Sequence, residues 1–187
     1  MNDRLVLLHG WGATDDDLAP LGDLLARAHT RGLEVVCLGA PEAHPSGFGR
    51  QWYGLFPPDY PAIPAAVADL RTRLEALNTP TCPLERTVLL GFSQGGAMAL
   101  EAGCSLPFAA VISCSGYPHP SWQPPRQHPP VLLLHGADDE VVPVSSVDDI
   151  WNKLDPQRRA KQISSCGHTI NDAAIDAISQ MLKRHLA

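Results

Sequence analysis

Thr87-Val88-Leu89-Leu90-Gly91-Phe92-Ser93-Gln94-Gly95-Gly96 joins an apolar, strand-like run to the small-residue stretch Ala97-Met98-Ala99-Leu100-Glu101-Ala102-Gly103. It is a G-x-S-x-G set between a strand and a helix, and that position gives a short pattern its meaning. A serine on so tight a turn holds a strained backbone, so its neighbours must lack bulky Cβ substituents. The turn lifts the hydroxyl out of the sheet, and free N–H groups at the helix start face any negative charge that develops beside it. Such a serine is placed to be a nucleophile. A glycine-rich phosphate cradle or a plain tight turn is the alternative for the same residues.

Working outward, apolar runs at 4–8, 33–38, 86–91, 109–114 and 131–135, with a weaker one at 160–165, read as strands. Helical patterns alternate with them. Thr14 with Asp17 forms a capping-box signature ahead of Leu18, Leu21, Leu24, Leu25 and Ala28 on one helical face. Ile63, Val67, Leu70, Leu74 and Leu77 mark a second helix, one follows the serine turn, and a shorter one covers about 144–154. Ala174, Ile175, Ile178, Met181, Leu182 and Leu186 mark the last. This alternation predicts an α/β fold of about six mainly parallel strands, covered by helices on both faces. Two long loops interrupt it: residues 39–60, rich in Pro, Gly and aromatics, and residues 115–130, with six prolines plus His119, Trp122 and His128. Both leave strands at the carboxyl edge of the sheet, where ligands bind in such folds.

The 187 residues are most simply one domain, 1–187, with ordinary apolar and charged content. The net charge of −6, with no basic run, argues against a nucleic-acid partner. No apolar segment reaches the roughly 20 residues of a transmembrane span, and a strand starting at about Arg4 leaves no room for a signal peptide. Cys37, Cys82, Cys104, Cys114 and Cys166 form an odd set without C-x-x-C, so neither a disulfide framework nor a zinc site is expected. A reducing, cytoplasmic setting fits them.

A serine hydroxyl needs a base, usually a histidine oriented by a carboxylate, in the chain order serine, acid, histidine on this scaffold. Of eight histidines, His9, His29 and His44 precede the serine, and His119 and His128 precede the acid loop. His135 ends a strand and is read as shaping the turn; His185 lies within the last helix. His168, in a short loop before the last helix, is the base candidate. The acid hangs from Ala137-Asp138-Asp139-Glu140-Val141-Val142-Pro143, where chemistry alone leaves the three acids open. Oxyanion donors are expected from the backbone N–H of Gln94 and from Trp11 in His9-Gly10-Trp11-Gly12. That glycine-flanked loop has an alternative reading as a structural turn with a packed tryptophan.

Over essentially its whole length the chain resembles the α/β-hydrolase family of phospholipase/carboxylesterases, which includes the acyl-protein thioesterases. The resemblance rests on Leu8-His9-Gly10-Trp11-Gly12-Ala13-Thr14, on Gly91-Phe92-Ser93-Gln94-Gly95-Gly96, on His135-Gly136-Ala137-Asp138-Asp139-Glu140-Val141-Val142-Pro143 and on Gly167-His168. Arg50-Gln51-Trp52-Tyr53 resembles the family's pocket loop. The family's acid occupies the fifth position of its motif, so the resemblance selects Asp139. It implies a minimal α/β-hydrolase fold and a serine esterase or thioesterase with Ser93, Asp139 and His168 as its triad. Hydrolysis through a serine needs no cofactor, and no metal-ligand spacing is present. The substrate is then a small molecule or an acylated one, with Trp11, Trp52, Phe56, Trp122 and Val142 as candidates for an apolar acyl pocket. Three features depart from the family: the short chain, Gly54 where an aspartate is common, and the proline-rich 115–130 loop. The competing readings are a serine-dependent acyltransferase, a lipase- or lysophospholipase-like hydrolase, a hydrolase of lactones or peptides, and a non-catalytic ligand-binding fold.

Overall fold

The computed structural model describes residues 2–186. Six parallel strands form its sheet: β1 (Asp3–Leu8), β2 (Leu33–Leu38), β5 (Thr87–Phe92), β6 (Ala110–Cys114), β7 (Val131–Gly136) and β8 (Arg159–Ser164), ordered β2-β1-β5-β6-β7-β8. A short antiparallel pair, β3 (Glu42–Ala43) and β4 (Arg50–Gln51), lies within the 39–60 loop. The helices are α1 (Ala19–Ala28), α2 (Ile63–Glu75), α3 (Gln94–Gly103), α4 (Ser146–Trp151) and α5 (Asp172–His185).

Burial explains the strand sequences. The four central strands are covered on both faces, so they are near-continuous apolar runs, whereas the edge strands β2 and β8 are partly exposed. Exposure is why Arg159-Ala160-Lys161-Gln162-Ile163-Ser164 looks weak as a strand in the sequence. Alternate residues serve two separate cores. Leu5, Leu7, Val88, Leu90 and Ile112 pack with Leu25 of α1 and Ile178 and Leu182 of α5. Val6, Leu8, Leu89, Val111 and Leu133 pack with Val67 and Leu70 of α2 and Met98 of α3.

The helix expected after Thr14 is divided. Asp15–Leu18 forms a 3₁₀ turn, and α1 starts only at Ala19, with Pro20 in its first turn. Proline suits that position because the first helical N–H groups have no partner within the helix. The Asp17 carboxylate accepts from the Thr14 N–H at 2.6 Å and from its hydroxyl at 2.9 Å. With the helix so phased, Gly22 and Leu25 face the sheet and Leu24 is turned outward, 50% exposed. The single five-residue face expected there therefore does not form.

β1 and β5 are hydrogen-bonded neighbours with Leu8 opposite Gly91, while the chain leaves them for opposite sides of the sheet. This is the switch point at which an open parallel sheet leaves a crevice at its carboxyl edge. The loop after β1 and the serine turn after β5 both emerge there.

Candidate active site

Ser93 links β5 to α3 with φ 54° and ψ −117°, a backbone region that non-glycine residues rarely occupy. The surrounding glycines make the turn possible. A Cβ on Gly91 would lie 2.0 Å from the Gly95 carbonyl oxygen, and one on Gly95 would lie 2.2 Å from that of Leu8. A Cβ on Gly10 would stand 3.3 Å from Cβ of Ser93, so the loop after β1 passes directly beside the serine. The backbone N–H groups of Trp11 and Gln94 donate to no group among the described residues. Donors left free at such a turn are available to an anion.

The Gln94 side chain is fully buried and ties the turn to its surroundings. Its Oε1 accepts from the Trp52 N–H at 3.0 Å, and its Nε2 donates to the Tyr53 carbonyl at 2.8 Å. Trp52 in turn donates its indole N–H to the His9 carbonyl at 2.9 Å. The His9 ring accepts the Ala40 N–H at Nε2, so its proton sits on Nδ1, which donates to the Gly10 carbonyl at 2.7 Å. Burial lowers the pKa of His9, against a smaller opposing contribution from the Gly10 bond, and keeps it neutral.

Of the three acids after β7, Asp138 and Glu140 are exposed and Asp139 is buried. Asp139 accepts the N–H groups of Val141 and Val142 at Oδ1, at 2.9 and 2.8 Å, and meets Nδ1 of His168 at Oδ2 at 2.8 Å. Burial by itself would raise the Asp139 pKa. The hydrogen bonds from Val142, His168 and Val141 outweigh it and hold the carboxyl below its ordinary range. His135 donates to the Val142 carbonyl at 2.9 Å and so braces the acid loop, the turn-shaping role expected of it. With Nδ1 engaged by the carboxylate, Nε2 is the free nitrogen of His168. The imidazole lies against Phe92, the neighbour of Ser93, with ring centroids 4.8 Å apart. Among the described residues no hydrogen bond joins the Ser93 hydroxyl to it.

The sequence matches the phospholipase/carboxylesterase family profile over residues 2–186, nearly its whole length. The chain belongs to this family. The structure is similar to the crystal structure of esterase PE8, at 30% identity and a TM-score of 0.77, covering 99% of this chain and 93% of that one. Acyl-protein thioesterase 2 of Zea mays shares the α/β-hydrolase fold, with a TM-score of 0.78 at 20% identity over 100% of this chain and 94% of that one. Acyl-protein thioesterase 1 homolog 2 of Dictyostelium discoideum is 28% identical over 120 residues, 56% of this chain and 52% of that protein. The match thus spans about half the length of the curated relatives.

Within this family member, the side chains expected to form an acyl pocket do not line the cavity beside His168. Trp52 and Trp122 are buried in the core on the α2–α3 face. Trp122 is almost fully buried there, its carbonyl accepting from Lys153 Nζ and its N–H donating to the His119 carbonyl. Val142 is buried beside Asp139, and its N–H and carbonyl serve the acid loop. Phe56 is 72% exposed and stands nearly perpendicular to Trp11, with ring centroids 5.2 Å apart. The large cavity at the site, about 520 Å³, lies elsewhere, between the Asp15–Ala28 segment and the residues that follow His168. Leu18, Leu21, Leu24, Phe92, Ile170 and Ile175 supply its apolar wall, with Gly10 and His168 at its edge.

A buried polar chain behind the turn has no counterpart in the sequence reading. Nδ1 of His119 pairs with Glu101 of α3, Nε2 bonds the Tyr53 hydroxyl at 2.9 Å, and that hydroxyl bonds Tyr117 at 2.8 Å. Burial pushes both phenols up, Tyr117 to about 12, so both stay protonated near neutrality. Glu101 was the available signal, the single acid in a helix of mostly small and apolar residues.

Proposed function

We propose that this chain is a serine hydrolase that cleaves carboxylic ester or thioester bonds through an acyl-enzyme on Ser93. The observation that carries the reading is the hydrogen bond from His168 to the buried Asp139 carboxylate, beside a strained serine turn with the N–H groups of Trp11 and Gln94 free among the described residues. His168 Nε2 takes the Ser93 proton as Oγ attacks the carbonyl carbon. The resulting oxyanion is received by the N–H groups of Trp11 and Gln94, each worth about 10²–10³ in rate at such sites. Asp139 fixes the imidazole tautomer and stabilises its charged form. The imidazolium then protonates the leaving group, and water activated by the same nitrogen releases the acid. The serine–histidine hydrogen bond forms as substrate binds, since such contacts tighten in the reacting complex.

Membership of the phospholipase/carboxylesterase family and the 30% identity to an esterase over nearly the full length support ester chemistry. Five cysteines without a disulfide are in keeping with a reducing cytoplasm. No helix among the described residues is long and apolar enough to cross a membrane. A fluorophosphonate probe tests the reading directly. It is expected to label Ser93 stoichiometrically and to abolish turnover of a short ester such as p-nitrophenyl acetate, and Ser93→Ala is expected to remove both labelling and turnover while the thermal melt persists. Turnover undiminished in Ser93→Ala overturns it.

A further inference from the structure

We propose that the cleft between the Asp15–Ala28 segment and the start of α5 receives the leaving group of the substrate, and that this group is an apolar alkyl or aryl alcohol or thiol. The assignment rests on the serine-hydrolase reading and gives it a substrate class. At about 520 Å³ the cleft falls within the range of small-molecule sites. It also adjoins the chemistry: Gly10 lines it, a Cβ there would stand 3.3 Å from Ser93 Cβ, and His168 forms part of its wall.

The direction of the substrate follows from where the proton must go. When the tetrahedral intermediate breaks down, the bond from the carbonyl carbon to the departing oxygen or sulfur breaks. Its electron pair stays on that heteroatom, which takes the proton from Nε2 of His168 and leaves as neutral alcohol or thiol. The heteroatom must therefore lie on the histidine side of the carbonyl. Thr169 and Ile170, which directly follow His168, continue the wall of this cleft. The acyl group occupies the other side, where Trp52 and Trp122, which were expected to receive it, are packed into the core.

The wall also states what it accepts. Both ring nitrogens of His9 are engaged by Gly10 and Ala40, and the Asp17 carboxylate is engaged by Thr14. Both nitrogens of His9 are thus spoken for, and Asp17, whose two bonds to Thr14 share Oδ2, is an exposed anion that disfavours a phosphate. Apart from His168 and Thr169, the rest of the lining is apolar, chiefly Leu18, Leu21, Leu24, Phe92, Ile170 and Ile175. Leu24, half exposed on a helix whose other outward residues include Asp23 and Arg27, is poorly suited to water but completes the rim of the cleft.

Two ester series separate leaving-group from acyl recognition: acetates of linear alcohols from methanol to octanol, and methyl esters of linear acids from acetate to octanoate. kcat/KM is expected to climb along the alcohol series by up to about fourfold per methylene until the cleft is full, and to stay nearly flat along the acid series. Leu24→Asp and Leu21→Trp are each expected to lower the octyl-to-methyl acetate ratio by about tenfold or more. Leu24 is already half in water, so a charge there does not threaten folding, and the two variants check one another. Dependence on acid length instead, no dependence on either, or folded variants that keep the wild-type ratio would each overturn the cleft assignment and leave the hydrolase reading standing. Failure to turn over any ester, together with no fluorophosphonate labelling, overturns the hydrolase reading and the assignment with it.

Discussion

Asp139 shows how burial selects among equivalent side chains. Asp138, Asp139 and Glu140 are interchangeable on paper, yet only Asp139 is withdrawn from solvent, at 8% exposure, and bonded to an imidazole. Asp139→Asn is expected to lower kcat on the order of 10⁴-fold, because an amide cannot stabilise the charged imidazole or fix its tautomer. Asp138→Asn, at an exposed position, is expected to change it by no more than roughly twofold. Steady-state kinetics on one ester compares them, and equal losses would remove Asp139 from the mechanism. Stability follows the same carboxylate. Its folded pKa lies below the ordinary 3.8, so the unfolded chain binds the proton more readily. The stabilisation is complete above about pH 4 and is lost as pH falls through the folded pKa. The stability gap between wild type and Asp139→Asn, measured by urea denaturation, is therefore expected to be largest near neutrality and to narrow below about pH 4.

At the scale of elements, the serine turn is a junction of three segments rather than a local motif. The approach of α3 to the end of β1 leaves no room for a side chain at Gly95, whose Cβ would meet the carbonyl oxygens of Leu8 and His9 at 2.2 and 2.5 Å. Backbone cannot yield as a flexible side chain does. Gly95→Ala is expected to cost about 3 kcal/mol or more in chemical denaturation, and a variant with wild-type stability would show that the helix start shifts freely. The pattern G-x-S-x-G was legible, but its reason was not: the second glycine answers to a strand more than eighty residues away. The α1 region taught a similar lesson. Leu18, Leu21, Leu24 and Leu25 read as one apolar face, but Pro20 set the helix start and so turned Leu24 away from the sheet. A leucine that periodicity assigns to the core instead rims a cavity.

At the scale of the whole molecule, the first strand, the β5 start and the chain end are joined through one buried carboxylate. Asp3 bonds Arg86 and also His29 at 3.0 Å, and Arg86 donates to the Leu186 carbonyl at 3.1 Å. Asp3→Ala leaves two partners without their acceptor and is expected to destabilise the fold by about 3 kcal/mol; an unchanged urea midpoint would contradict this. Such long-range ties separate what was readable from what was not. The sequence by itself determined the strand–helix alternation, the parallel sheet and the serine turn, because each is written in short-range periodicity or spacing. Only the tertiary structure decided which aromatic side chains are core and where the open volume lies. It also formed the Glu101–His119–Tyr53–Tyr117 chain. Those outcomes depend on how distant segments fill space against one another. A tryptophan carries the same label whether it lines a pocket or plugs it.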